Sequence, residues 1–202
     1  MNFHDIFKHK NKINPIENEK YDEELTTNPH KFIQSMIYMN NYFEQNNIKT
    51  FNVSENIHTN GILDISIVPA RSSQAINDLV DQLAKRVAES LNYVGVLGVE
   101  FFISEGKVFV NEIAPRPHNS GHYTIDATVT NQFEQQVRVL AGLPLGSARL
   151  HSSAVMVNLL GDVWTNSKTK EPHWDKAFKE PGLKMHLYGK HEARPGRKMG
   201  HF

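Results

Sequence analysis

Hydrophobic and polar positions follow two rhythms along this chain, and each predicts its own kind of element. From Ser72 or Ser73, either of which supplies an N-cap, Ile76, Leu79, Val80, Leu83, Val87 and Leu91 fall on one stripe while Asp78, Lys85, Arg86 and Glu89 cover the rest. That spacing predicts a long amphipathic helix. After Asn28-Pro29, Phe32, Ile33, Met36, Ile37, Tyr38 and Phe43 recur at helical spacing until Asn46-Asn47, predicting a second helix. Residues 125–140 predict a third, ended by Gly142 and Pro144. Strand-like runs lie between: Ile48 to Val53, then Ile62 to Val68 after the turn-prone Glu55–Gly61 segment and closed by Pro69. Tyr93 to Ile103 and Val108 to Ile113 predict a β-hairpin turning at Glu105-Gly106-Lys107. From Ala154 to Tyr188 short strands alternate with loops, and the polar first 28 residues show no apolar face, reading as a loose arm.

Composition narrows the classes. The 202 residues suffice for one domain or two small ones. Lys and Arg together number 22, as do Asp and Glu, so no overall basic field selects nucleic acid and partners are chosen locally. The absence of cysteine excludes disulfides and thiolate metal sites. No apolar run approaches the ~20 residues of a membrane helix, and the first residues lack a secretory pattern, so a soluble, cytoplasmic protein without membrane partners is expected.

Candidate chemistry concentrates where the second hairpin strand runs into a loop, Asn111-Glu-Ile-Ala-Pro-Arg-Pro-His-Asn-Ser-Gly-His122. Glu100 and Glu112 lie on opposite hairpin arms at an even separation, so a three-residue loop sets them face to face on one side of the sheet. A two-residue loop sends them to opposite sides. Opposed carboxylates repel, and a divalent cation such as magnesium shared with phosphate relieves that repulsion; two solvated acids on an exposed face are the plain alternative. Pro115 and Pro117 brace Arg116, whose fork suits bicarbonate, a carboxylate or phosphate, and His118, Asn119 and His122 add donors and acceptors. Near the end, Lys190, Arg194, Arg197 and Lys198 surround Pro195-Gly196, a shaped basic turn suited to phosphate or else a solvated tail. Glu55, Asn56 and His58 are either turn formers or ligands.

With those residues in view, the chain resembles the ATP-grasp enzymes, most closely the N5-carboxyaminoimidazole ribonucleotide synthetase family, the ATPase subunit of phosphoribosylaminoimidazole carboxylase. The likeness is carried by residues 55–70, 98–102, 111–124 and 186–201. It implies an α+β fold: a partial ATP-grasp domain, an antiparallel sheet with packed helices, over residues 48–150. A small β-rich unit over 151–202 follows, and residues 1–47 form an unassigned leader with one helix. It further implies ATP and Mg2+ as cofactors, bicarbonate and aminoimidazole ribonucleotide as substrates, and carboxyphosphate on the way to N5-carboxyaminoimidazole ribonucleotide. Under the resemblance Glu100 and Glu112 are metal ligands, with Asn111 and His58 beside the nucleotide. Arg116, His118 and Asn119 form the bicarbonate and carboxyphosphate pocket, with Lys198 among the catalytic groups. Lys190, Arg197 and Lys198 contact the ribonucleotide phosphate or the transferred carboxylate. The likeness extends only from about Ile48 to His201, without the family's ATP-clamping lysines and Gly-rich loop, so this looks like a carboxyl-terminal half that binds nucleotide weakly alone. A homodimer, or association with an amino-terminal half, is expected. The alternatives are a non-catalytic ATP-grasp fragment serving as a binding module, and an enzyme like formate-dependent glycinamide ribonucleotide transformylase, in which His-Asp-Thr-Gly is expected where His118-Asn119-Ser120-Gly121 stands.

Overall fold

A computed structural model describes residues 31–40, 47–104 and 106–202, with side chains from residue 48 onward. Its centre is the strand β5 (Gly95–Ser104), almost wholly buried because both of its faces are covered. On one face Leu97, Val99, Phe101 and Ile103 pack against Ile76, Val80, Ala84 and Ala88 of the helix α1 (Gln74–Ser90). The predicted stripe is thus present, but its buried centre runs from Ile76 and Val80 to the small Ala84 and Ala88, with Leu83 and Val87 at its margins. Ser73 caps the helix through its hydroxyl. Val96 faces the other way, into a second core with Phe51, Leu63, Tyr123, Val139 and Met156.

Around β5 the described residues form one antiparallel sheet in the order β6-β5-β1-β3-β4-β7-β9-β8, where β1 is Lys31–Asn40, β3 Ser54–Thr59, β4 Ile62–Val68, β6 Lys107–Ala114, β7 Ala154–Leu160, β8 His186–Leu187 and β9 Lys198–His201; β2 (Asn47–Thr50) pairs with β1. This is the mixed α+β architecture expected. Strand β7 pairs with β4 on one side and β9 on the other, so the basic carboxyl-terminal segment is tied by ladder hydrogen bonds to the sheet that carries the glutamates. No helix among the described residues is long and apolar enough to cross a membrane.

Several local expectations are corrected. The helix predicted after Pro29 is the strand β1, paired with β5 from Lys31↔Ile103 to Met39↔Gly95; the remainder of that prediction, residues 41–46, and the first 28 residues lie outside the described ones. Short apolar runs fit either period, and the pairing offered by β5 decides between them. The Glu55–Gly61 turn is instead mostly strand β3, with only Asn60 and Gly61 between β3 and β4. The third helix is two, α2 (Thr124–Ala127) and α3 (Gln132–Leu140), separated where Thr128 bridges Leu150.

Candidate functional site

The β5–β6 hairpin sets Glu100 directly opposite Glu112, although not for the reason the spacing suggested. Ser104 pairs with Lys107, leaving two residues between the strands rather than three, and a regular ladder from that turn would place Asn111 across from Glu100. A bulge between Glu100 and Phe101 takes up one residue of β6 and restores the glutamate pair. It also leaves Asn111 beside the pair, its Nδ2 donating to Glu100 Oε1 at 2.6 Å. Glu100 is 5% exposed, whereas Glu112 is open to solvent. Among the described residues neither carboxylate forms an ion pair with a lysine or arginine. Their charged-group neighbours are imidazoles: His58 Nε2 lies 3.7 Å from Glu100 Oε2, and His118 Nε2 lies 4.0 Å from Glu112 Oε1.

These imidazoles do not all balance the acids. Burial outweighs the attraction of Glu112 and, with the nearby Arg116, Lys198 and His58, pushes His118 down to about 4, so it is neutral near pH 7. Its Nδ1 meets Ser120 Oγ at 2.9 Å. Two opposed carboxylates therefore share a face without a compensating lysine or arginine, an arrangement that suits a hard divalent cation. No group of three or more His, Asp or Glu side chains is poised around a metal among the described residues, so an ion here would complete its shell with water or phosphate oxygens.

Beyond β6 the chain turns sharply, with Arg116 N donating to Ala114 O at 2.8 Å. Arg116 is exposed, and its Nη1 donates to the Pro117 carbonyl at 3.0 Å, leaving its fork without a carboxylate. Asn119 begins a 3-10 turn, and its buried Nδ2 has no hydrogen-bond partner among the described residues. Such a donor is costly unless something meets it.

Lys198, at the start of β9, reaches this loop across the sheet. Burial lowers its pKa, and Arg116 lowers it further, against a smaller opposing effect of Glu112. A lysine whose charge is disfavoured by a nearby arginine makes a site that an anion stabilises. Lys190 Nζ donates to the Lys198 carbonyl at 2.5 Å, so it braces β9. Arg197 donates to the Glu192 carbonyl at 2.9 Å, and the structure brings it to none of the acids or histidines above. The Pro195-Gly196 turn is shaped as expected: Gly196 N donates to Asp162 Oδ2 at 2.7 Å, and Gly161 packs so tightly beneath it that a Cβ there would overlap the Arg194 carbonyl.

Glu55 and Asn56 fall outside this group. Arg71 grips Glu55 through Nε at 3.1 Å and Nη2 at 2.8 Å, and Asn56 Oδ1 accepts from Ser66 Oγ at 2.8 Å, so both serve the sheet. Sequence reasoning gave no place to a ring stack in which His186, His201, His122 and Phe133 follow one another at centroid separations of 4.7, 4.7 and 5.7 Å. Burial, followed by the neighbouring imidazoles and, for His122, Lys198, holds His122 at about 3 and His201 at about 4, so both are neutral near pH 7. Histidines 64 and 79 positions apart in sequence carried no signal of this; the pairing of β8 with β9, which sets His186 opposite His201, and of β9 with β7 was needed to bring them together.

Residues 31–133 match the ATP-grasp domain family, and residues 154–202 match the phosphoribosylaminoimidazole carboxylase C-terminal domain. N5-carboxyaminoimidazole ribonucleotide synthase of Bacillus subtilis is 51% identical over 155 residues, which are 76% of this chain and 39% of that protein. Among solved structures, the N5-carboxyaminoimidazole ribonucleotide synthetase of Thermus thermophilus superposes with a TM-score of 0.75 at 38% identity, covering 86% of this chain and 45% of that one. The N5-carboxyaminoimidazole synthase of Aspergillus clavatus, in complex with ADP and 5-aminoimidazole ribonucleotide, gives 0.77 at 31% identity, covering 85% and 45%. The chain spans about two fifths of the length of the curated relatives it matches.

Proposed function

The chain belongs to the ATP-grasp family, and from that premise we propose that it contributes the metal- and carboxylate-handling part of an ATP-dependent ligase that makes N5-carboxyaminoimidazole ribonucleotide. In this reaction ATP phosphorylates bicarbonate, giving ADP and carboxyphosphate. The carboxyl carbon then passes to the exocyclic amine of aminoimidazole ribonucleotide, and phosphate leaves. The carboxylase-type match over residues 154–202 favours this over a formate-dependent relative. Residues 48–150 then act as the nucleotide-facing unit and 151–202 as a smaller unit supplying Lys198. In this reading the protein works in the cytoplasm, either as a homodimer or in association with an amino-terminal half that completes the nucleotide clamp.

The observation that carries this reading is the pair Glu100 and Glu112, held opposite each other by the bulge at Asn111, beside an arginine and a lysine that lack carboxylate partners among the described residues. Glu100 and Glu112 are the residues that would hold Mg2+, which when bound would neutralise phosphate charge during transfer, with Asn111 beside the nucleotide. Arg116 presents its fork to bicarbonate or carboxyphosphate, and Lys198 adds charge from the opposite strand. Asn119 Nδ2 supplies a fixed donor to the same anion. Neutral His118 orients the anion by hydrogen bonding, since a group held at about 4 is a poor proton acceptor near pH 7. His58 stands beside Glu100 at the nucleotide side, and Lys190 holds Lys198 in place while Lys190 and Arg197 offer charge to the ribonucleotide phosphate.

The test is reconstitution. The chain, alone and with a separately produced amino-terminal half of the Bacillus subtilis synthase, is given ATP, bicarbonate and aminoimidazole ribonucleotide, and ADP release is followed. Bicarbonate-dependent ADP release that disappears in Glu112→Gln is expected; no release in either mixture would overturn the proposal.

A further inference from the structure

Gln132 opens helix α3 and is fully buried, although a glutamine in a first helical turn ordinarily faces water. Its backbone N–H is met by Thr124 Oγ1 at 3.0 Å, and that hydroxyl itself donates to the Gly121 carbonyl at 2.6 Å. Its side chain reaches into the loop. His118 N donates to Gln132 Oε1 at 2.8 Å, Gln132 Nε2 donates to the His118 carbonyl at 2.9 Å, and the same Nε2 lies 3.0 Å from His122 Nδ1. A Cβ on Gly121 would stand 2.5 Å from Gln132 Oε1, so glycine there is what admits the amide.

These contacts fix a proton. Backbone groups have no alternative polarity: the His118 N–H can only meet an oxygen, and the His118 carbonyl can only meet a nitrogen. The orientation of the Gln132 amide is therefore set without reference to either imidazole. Its Nε2 arrives at His122 as a donor, so His122 Nδ1 must accept, and the ring's single proton resides on Nε2. We infer that Gln132 is a positioning residue which clamps the His118 backbone and selects the Nε2–H tautomer of His122, holding the Arg116–Asn119 loop in its anion-binding form. This role rests on the proposed placement of the anion in that loop. The depressed basicity of His122 agrees with it, because a second ring proton would face the amide N–H.

The proton's position is directly observable. In the full chain labelled with 15N-histidine, long-range 1H–15N correlation spectra near pH 7 are expected to show His122 with an unprotonated, pyridine-type Nδ1 and a protonated Nε2. The His122 signals are identified by their loss in His122→Gln. A protonated Nδ1, or a tautomer mixture, in the unaltered protein would overturn the inference without any Gln132 variant being made. Gln132→Glu offers only acceptors, so Nδ1 should gain a proton; Gln132→Met offers neither donor nor acceptor, so a mixture should appear. Retention of the pure Nε2–H form in both folded variants would also overturn it. The spectra need no nucleotide, metal or bicarbonate. A chain with the expected tautomer that fails reconstitution therefore refutes the proposed reaction and leaves the tautomer selection by Gln132 intact.

Discussion

Two hairpins of this sheet each carry a buried glutamate, and they treat it in opposite ways. In β3–β4, Glu55 is closed off by Arg71, which holds both carboxylate oxygens and adds its backbone N–H at 3.1 Å. In β5–β6, Glu100 has an amide and an imidazole as neighbours and a second acid across the ladder, while Arg116 pairs with no carboxylate among the described residues. A buried acid with a bidentate partner is finished structure; a buried acid facing another acid is unfinished until a cation arrives. The difference singles out the second hairpin as the candidate for chemistry, which burial and composition alone do not.

Changing each arginine to lysine sharpens the contrast most. Arg116→Lys should lower bicarbonate-dependent turnover of the reconstituted enzyme by about 10²-fold, because the planar fork is lost at a developing anion. Arg71→Lys should leave turnover within about twofold, since its role is to hold the fold. Equal rates for both variants would erase the distinction.

Acid should weaken the second hairpin's surroundings next. His118, His122 and His201 are neutral in the folded protein down to about 4, about 3 and about 4, whereas unfolded imidazoles take up protons near 6.5. Between those values the unfolded state binds more protons, so stability is complete above about pH 6.5 and declines as the pH falls toward 4. Urea unfolding should show a loss on the order of 2 kcal/mol for each histidine that stays fully neutral in the folded state between about pH 7 and about pH 5, an upper bound because each ring keeps some contact with solvent. His118→Gln combined with His201→Gln should flatten that dependence; an unchanged slope would contradict the burial account.

Arg71→Ala should cost about 1 to 2 kcal/mol in the same measurement, a value moderated by the exposure of the Arg71 side chain. The smallest effect is expected for Glu100→Gln. Removing one of two facing charges should leave stability within about 1 kcal/mol of the parent, or raise it slightly, while abolishing Mg-nucleotide binding by calorimetry. A large destabilisation would place Glu100 with Glu55, as structure rather than site.

Much of this was legible in the chain itself. An apolar run marked β5 and a shorter one beyond the Glu105–Lys107 turn marked β6, the stripe from Ile76 marked α1, and the density of charge-handling groups after Pro115 marked the loop. The glutamate pair was legible in outcome but not in cause, because a two-residue turn and a bulge together give the parity that a three-residue turn would have given. Local sequence cannot count a bulge that only the partner strand reveals. Strand β1 was misread since its apolar residues satisfy both periods, and Gln132 gave no sign at all, lying in the polar run Thr130-Asn-Gln132 whose burial depends on a loop packed over it.

The bulge at Asn111 has one more effect. Regular pleating seats a single side chain opposite Glu100, and the irregular step seats two, an amide and an acid, in the same place. Removing residue 111 would keep the acids abreast of each other and take away the neutral spacer between them, so the proposed cation site would be altered without the loss of a single charged residue.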